Sequence, residues 1–116
     1  MSAGRCARAI YWRAKPGQLD AYTQYVRSHV EPLDHEAQLR GDLVSHLTLV
    51  DSNPEAAWTH MRLFVFHDAA QRANLAAALA DAAAVLTPDP KQRAARAAHA
   101  ATLRDKVGQA DFDLLG

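Results

Sequence analysis

The chain lacks several things, and each absence narrows what it can be. Among its 116 residues there is one cysteine, Cys6, so it forms no internal disulfide and no zinc site built from cysteines. It has no excess charge, with 13 lysines and arginines against 13 aspartates and glutamates. A strong basic field for nucleic acid or for an anionic membrane is therefore absent. No apolar run approaches the roughly 20 residues that a membrane-spanning helix needs. The opening Met1-Ser2-Ala3-Gly4-Arg5 has no apolar stretch behind it of the kind a signal peptide carries, so a cytoplasmic protein is expected. No internal repeat or linker divides the chain, and its length suits a single domain over residues 1–116.

Large apolar side chains are also scarcer than the 49% hydrophobic content suggests. Alanine supplies 25 of the 57 hydrophobic residues, and 16 of these alanines fall between Ala69 and Ala101. Alanine forms helices readily but buries little surface, so the second half adds helix without much core volume. A small domain with a thin core gains from self-association.

What is present alternates and repeats in a readable order. Cys6 to Ala14 has the period of a strand, with Ile10 and Trp12 on one side and Tyr11 and Arg13 on the other. Pro16-Gly17 ends it. Leu19, Tyr22, Val26, Val30 and Leu33 then follow at helical spacing, with a kink or break expected near Val30-Glu31 because Pro32 lacks an amide donor. The second helical piece should end near Arg40, capped by Gly41. Asp42 to Val50 and Trp58 to Phe66 alternate as two strands joined by the turn-rich Asp51-Ser52-Asn53-Pro54-Glu55, an antiparallel hairpin. Asp68 and Gln71 fit a capping box that opens a helix to about Leu86. Asp89-Pro90 opens an extra C-terminal helix over about 90–107, closed by Gly108. The tail Ala110-Asp111-Phe112-Asp113-Leu114-Leu115 reads equally as a fourth strand, an arm across a partner or a frayed end.

Strand, helix, hairpin and helix in that order make most of a ferredoxin-like unit. Over Arg8 to Ala80 the chain resembles the dimeric α+β barrel superfamily, which includes antibiotic-biosynthesis monooxygenase-like, EthD-like and NIPSNAP-like families. The residues that carry the resemblance are Arg13-Ala14-Lys15-Pro16-Gly17 before a helix, then Glu31-Pro32-Leu33 and Gly41 leading into Leu43 to Val50. Trp58 to Phe66 completes it, with an amphipathic helix straight after His67-Asp68. Asn74 stands about where the monooxygenase-like members commonly carry a histidine, and the haem-degrading members' residue set is absent. The resemblance implies an α+β fold with an antiparallel sheet covered by helices on one face. It also implies a homodimer with a barrel-like chamber between two sheets.

Strand parity suggests where a site would lie. Ile10 and Trp12, with Leu43, Leu47 and Leu49 and with Met61, Leu63 and Val65, form apolar faces expected to pack under the helices. The opposite faces carry Tyr11 and Arg13, His46 and Thr48, and Trp58, His60, Arg62, Phe64 and Phe66. Closure around Asn53 is expected to set His46 opposite His60 or Arg62. A neutral imidazole beside a guanidinium suits a general base, so His46, His60 and Arg62 are the candidate catalytic residues. Tyr11, Arg13, Thr48, Trp58 and Phe64 are the candidate ligand-binding residues, with the arginines as anion holders and the rings as apolar lining.

The competing reading has His46 and His60 bonded to each other, to Thr48 or to water in a polar dimer interface. Two histidines without a clear third ligand make a poor metal site, so no metal or other cofactor is expected. His29, His35 and His99 read as surface or capping residues, and Tyr22 and Tyr25 as packing residues, with Tyr25 able to tip toward a pocket. Arg93, Arg96 and Arg104 read as the solvated face of the last helix. The function expected is the binding of a compact hydrophobic or aromatic small molecule. If the protein is an enzyme, the chemistry is cofactor-independent oxygenation or isomerisation. The alternative is a non-catalytic dimeric binding or structural module.

Overall fold

The computed structural model describes residues 4–53 and 55–115, so Met1-Ser2-Ala3 of the opening and Pro54 of the hairpin loop lie outside the described residues. Strand β1 (Cys6–Ala14) ends at Gly17, whose φ of 77° is a backbone state that glycine adopts without strain. Helix α1 (Leu19–Tyr25) runs into a π-helical turn (Val26–Val30) and then into α2 (Glu31–Leu39). The expected break at Pro32 is thus a widened turn, and the backbone stays helical through Val30 and Glu31. The wider turn resets the hydrogen-bond ladder and leaves Pro32 near the start of α2, where a missing donor costs little. Gly41, at φ 84°, follows as the expected helix stop.

Strands β2 (Ser45–Val50) and β3 (His60–Phe66) form the expected hairpin, each shorter at its N-terminal end than the alternation suggests. The Asp51 carboxylate accepts from the Asn53 amide at 2.9 Å, and the Asn53 side chain accepts from Glu55 N at 3.0 Å, so side chains shape the loop. Asp68 caps the next helix through the Gln71 amide at 2.9 Å, while the Gln71 side chain accepts from His67 N at 3.0 Å. The single helix expected here is divided at Asn74 into α3 (Ala69–Ala73) and α4 (Leu75–Leu86).

Helix α5 (Pro90–Leu103) starts at its Asp89 cap as expected but stops four residues before Val107. Strand β4 (Arg104–Asp113) replaces the last helical turn, the Gly108 cap and most of the unassigned tail. Local propensity loses here to a tertiary effect. Pairing with β1 satisfies a row of backbone groups that would otherwise be an open sheet edge.

The sheet order is β2-β3-β1-β4 with every neighbour antiparallel, the arrangement of a ferredoxin-like fold. The molecule extends 48 × 37 × 17 Å, thick enough for one sheet and one layer of helices only. Directly opposed residues share a face. Cys6, Arg8, Ile10 and Trp12 lie opposite Phe66, Phe64, Arg62 and His60, and His46 and Thr48 lie opposite Phe64 and Arg62. Phe64, Phe66, His60 and Arg62 are buried, so this is the face beneath the helices.

That assignment reverses the expected phase of the hairpin. Leu47, Leu49, Met61, Leu63 and Val65 sit on the uncovered face with Tyr11 and Arg13, whereas Ile10 and Trp12 are helix-side as expected. His46 is opposite Phe64, and neither His60 nor Arg62 is its partner. The physical reason is area and partners together. Each of the two phenylalanine rings on one parity is bulkier than Met61, Leu63 or Val65 on the other, and both are fully buried. The helices then supply the hydrogen-bond partners that make His60 and Arg62 tolerable inside. One core cluster joins Phe64, Phe66 and Cys6 to Ala37, Leu43, Leu75 and Ala82; a second joins Ala14, Tyr22, Val26, Val30 and Leu103.

Urea denaturation should therefore show Phe64→Ala to be destabilising by about 3–5 kcal/mol, a large aromatic truncation in a closed core. Leu115→Ala, at a fully exposed side chain, should stay within about 0.5 kcal/mol of the parent.

Candidate functional site

The sheet's covered face holds a polar lattice. Arg62 donates through Nε to Asp34 Oδ2 at 3.2 Å and through Nη2 to Asp34 Oδ1, a two-point pair with both residues buried. Its guanidinium lies 5.1 Å from the Phe64 ring centre. Asp34 comes from α2, one helical turn beyond the π-helical segment, so the reset around Pro32 helps to place it.

His60 is fully buried between two threonines, with Nε2 2.9 Å from Thr23 Oγ1 and Nδ1 2.8 Å from Thr59 Oγ1. The Thr23 hydroxyl donates to Leu19 O at 2.8 Å, so it accepts from His60 Nε2–H. Thr59 Oγ1 accepts from Ala14 N at 2.8 Å, and its hydroxyl proton, with Trp12 O at 3.4 Å and His60 Nδ1 at 2.8 Å, serves the nearer imidazole nitrogen. These bonds assign the neutral Nε2–H tautomer. Burial agrees, pushing the imidazole down to about 4 from its ordinary 6.5. The Tyr22 ring packs edge-on at 4.4 Å, and its hydroxyl accepts from Arg104 Nη1 at 2.9 Å. Burial raises the Tyr22 phenol and Arg104 partly offsets that rise. Arg104 also stacks on Trp12, 3.7 Å from the ring centre.

The residues expected to form one site are thus divided between the two faces. His60, Arg62 and Phe64 are buried beneath the helices, with the first two already held by Thr23, Thr59 and Asp34. His46 and Thr48 share that face, and His46 Nδ1 and Thr48 Oγ1 are buried without a hydrogen-bond partner among the described residues. Tyr11 and Arg13 belong to the uncovered face. Tyr11 lies 5.7 Å from the Trp58 ring, and Arg13 donates to Ala56 O at 2.9 Å.

An open cleft of about 220 Å³ lies elsewhere, between the first helical run, α4 and α5. Its apolar lining comes from Leu33, Ala83, Leu86, Ala97 and Ala100, and its polar lining from Tyr25, His29, Thr87, Arg93, Arg96 and Arg104. Arg93 Nη1 donates to Thr87 O at 2.8 Å and to Pro88 O at 2.9 Å, and Arg96 Nη1 to Thr87 Oγ1 at 2.5 Å. The Tyr25 hydroxyl donates to Arg96 O at 3.3 Å, and its ring lies 5.1 Å from His29 and 5.9 Å from His99. Burial first, then the nearby Arg96 and His99, hold His29 below the usual imidazole range, so it is neutral at pH 7.

Two other hollows open on the surface. One of about 300 Å³ lies between the loops around Pro16 and Ser52, and one of about 370 Å³ is a shallow dish by His35 and His46. Among the described residues no three histidine, cysteine or acidic side chains converge to hold a metal.

From the sequence Tyr25 is expected to be able to tip toward a pocket, His29 to sit at the surface and Arg93, Arg96 and Arg104 to form a solvated face, whereas all five line this cleft. Tyr25 and His29 are four apart, and Arg93, Arg96, Ala97 and Ala100 fall at positions i, i+3, i+4 and i+7 of one helix. That places arginine and small apolar residues on a common face, which a purely solvated stripe does not require.

Comparison with solved structures settles the architecture. A protein of unknown function from Nitrosomonas europaea superposes with a TM-score of 0.62 at 21% identity, covering 97% of this chain and 90% of that one. A putative antibiotic biosynthesis monooxygenase from Chloroflexus aurantiacus gives 0.56 at 15% identity, covering 97% and 95%. The chain shares the ferredoxin-like α+β fold of these structures. An uncharacterised NIPSNAP-like domain protein from Burkholderia xenovorans gives 0.55 at 15% identity, covering 99% and 87%. At these identities the likeness is one of fold. No family model matches the sequence, and neither does any curated protein.

The neutral His60 has a consequence for stability. Its folded-state pKa lies below the unfolded value, so the unfolded chain takes up the proton first as pH falls. Stability should be full above about pH 6.5 and should decline by roughly 2–3 kcal/mol toward pH 4, then level off with respect to this group. Urea titrations between pH 7 and 4 on the parent and on His60→Gln check this, since the variant should lose that slope. An NMR titration placing the His60 midpoint near 6.5 would refute the assignment.

Proposed function

We propose that the chain is a small-molecule-binding homodimer whose ligand, compact and hydrophobic or aromatic, occupies the cleft between the first helical run, α4 and α5. The observation that carries this reading is the cleft's lining, an apolar wall beside unpaired cationic side chains and a tyrosine ring. Its volume of about 220 Å³ lies below the usual range for drug-sized ligands, which points to a compact one. His60 and Arg62 are then part of the framework behind the cleft. Through Tyr22, Arg104 links that framework to the cleft wall. In a catalytic version of this reading, cofactor-independent isomerisation or oxygenation would draw its base from the neutral His29, because both His60 nitrogens are engaged.

The dimer is supported by the uncovered sheet face. Leu47, Leu49 and Phe112 are 49%, 40% and 47% exposed there, beside the half-buried Met61, Leu63 and Val65. A contiguous apolar face of this kind is unusual on a monomer and suits a second copy packed sheet to sheet.

Sedimentation equilibrium should give twice the 12.7 kDa chain mass for the parent. Leu47→Asp should give the single-chain mass with unchanged far-ultraviolet circular dichroism. A parent that sediments as a monomer at micromolar concentration defeats the dimer. For the ligand, NMR titration with indole should shift the amides of Leu86, Thr87 and Ala97, and Ala97→Phe should abolish those shifts. Shifts confined to the uncovered sheet face would move the site there.

A further inference from the structure

We infer that the ligand of this cleft is an aromatic carboxylate, its carboxylate held by Arg96 and Arg104 and its ring against Tyr25 and the Leu33–Leu86 wall. The inference rests on the ligand-binding reading above and names the chemistry of that ligand.

Four of the chain's ten arginines have a carboxylate partner among the described residues. Arg8 and Arg72 reach Asp111, Arg40 reaches Asp42 and Asp81, and Arg62 reaches Asp34. Arg93, Arg96 and Arg104 form no ion pair among the described residues, yet all three line one cleft of a chain with no net charge. Among the described residues no carboxylate lines that cleft. An excess of three positive charges is therefore gathered in one concave place, where an anion is favoured.

The geometry is also prepared. Arg104 is stacked on Trp12 and anchored to the Tyr22 hydroxyl, so its guanidinium is fixed before any ligand arrives. Among the described residues each of the three arginines donates through Nη1, which leaves Nε–H and Nη2–H groups as donors. A guanidinium edge matches a carboxylate in two parallel hydrogen bonds. The volume of the cleft leaves space for one ring beside that group, and the alanines at 83, 97 and 100 keep it open.

The test is an NMR titration of the full-length protein with benzoate, benzamide, benzylamine and phenyl phosphate. Benzoate should shift the cleft amides and bind about tenfold or more tightly than benzamide, its neutral counterpart, while benzylammonium should leave the cleft unshifted. Arg96→Gln should weaken benzoate about tenfold and leave benzamide unchanged. Arg96→Lys should recover part of the loss by restoring charge without the fork. Added salt should weaken benzoate alone. Equal binding of benzoate and benzamide, or an Arg96→Gln variant with parental benzoate affinity, overturns the carboxylate assignment and leaves the ligand site standing. Phenyl phosphate binding tenfold more tightly than benzoate overturns it in favour of phosphate esters. Cleft amides unmoved by all four compounds and by indole overturn the ligand site itself.

Discussion

The Arg62–Asp34 pair ties the middle of β3 to α2 in a place almost closed to solvent, and neither charge can be held there alone. A lone buried charge costs several kcal/mol, so the pair admits one register of sheet against helix layer. Side chains alternate along a strand, and a slip of one residue would exchange the two faces of β3. With Arg62 inward, His60, Phe64 and Phe66 must also be inward. Met61, Leu63 and Val65 must then face out. The bare apolar sheet follows from the same constraint, since the residues that would fill an ordinary core are on the wrong parity to reach it.

Polar groups beneath the helices are tolerated because they are answered locally. His60 has a donor and an acceptor from two threonines, Arg62 has a carboxylate, and Tyr22 has Arg104. Satisfied groups of this kind stiffen a core but are not free to engage a ligand. The cleft beside them is different in kind. Its arginines hold backbone and hydroxyl oxygens and have no charge partner among the described residues, so positive charge gathers there. One interior is closed and neutral; the other is open and cationic.

Much of the fold was legible because it depends on local rules. Asp68 and Asp89 are found at their helix caps, Gly41 at its helix stop and the hairpin at its turn, each through contacts within a few residues. The errors share one cause. Val107 and Gly108 were read as helix end and cap, but a pairing with residues about a hundred positions earlier makes them strand. His60 and Arg62 were read as facing away from the helices because Met61, Leu63 and Val65 make the other parity plainly apolar, whereas Thr23 and Asp34 on the first helical run make their burial possible. The cleft escaped notice because its walls are drawn from three separate helical segments and one strand residue.

The sequence by itself determined the order of elements, the neutral charge, the thin alanine-rich helices and the ferredoxin-like outline, all set by spacing and composition. Only the tertiary structure decided which face of the hairpin is inside, where the chain's last strand lies and which arginines gather along one cleft. The physical reason is that alternation supplies two equivalent faces, and choosing between them needs a partner from elsewhere in the chain. Polarity alone does not make that choice. Two phenylalanine rings and one aspartate do.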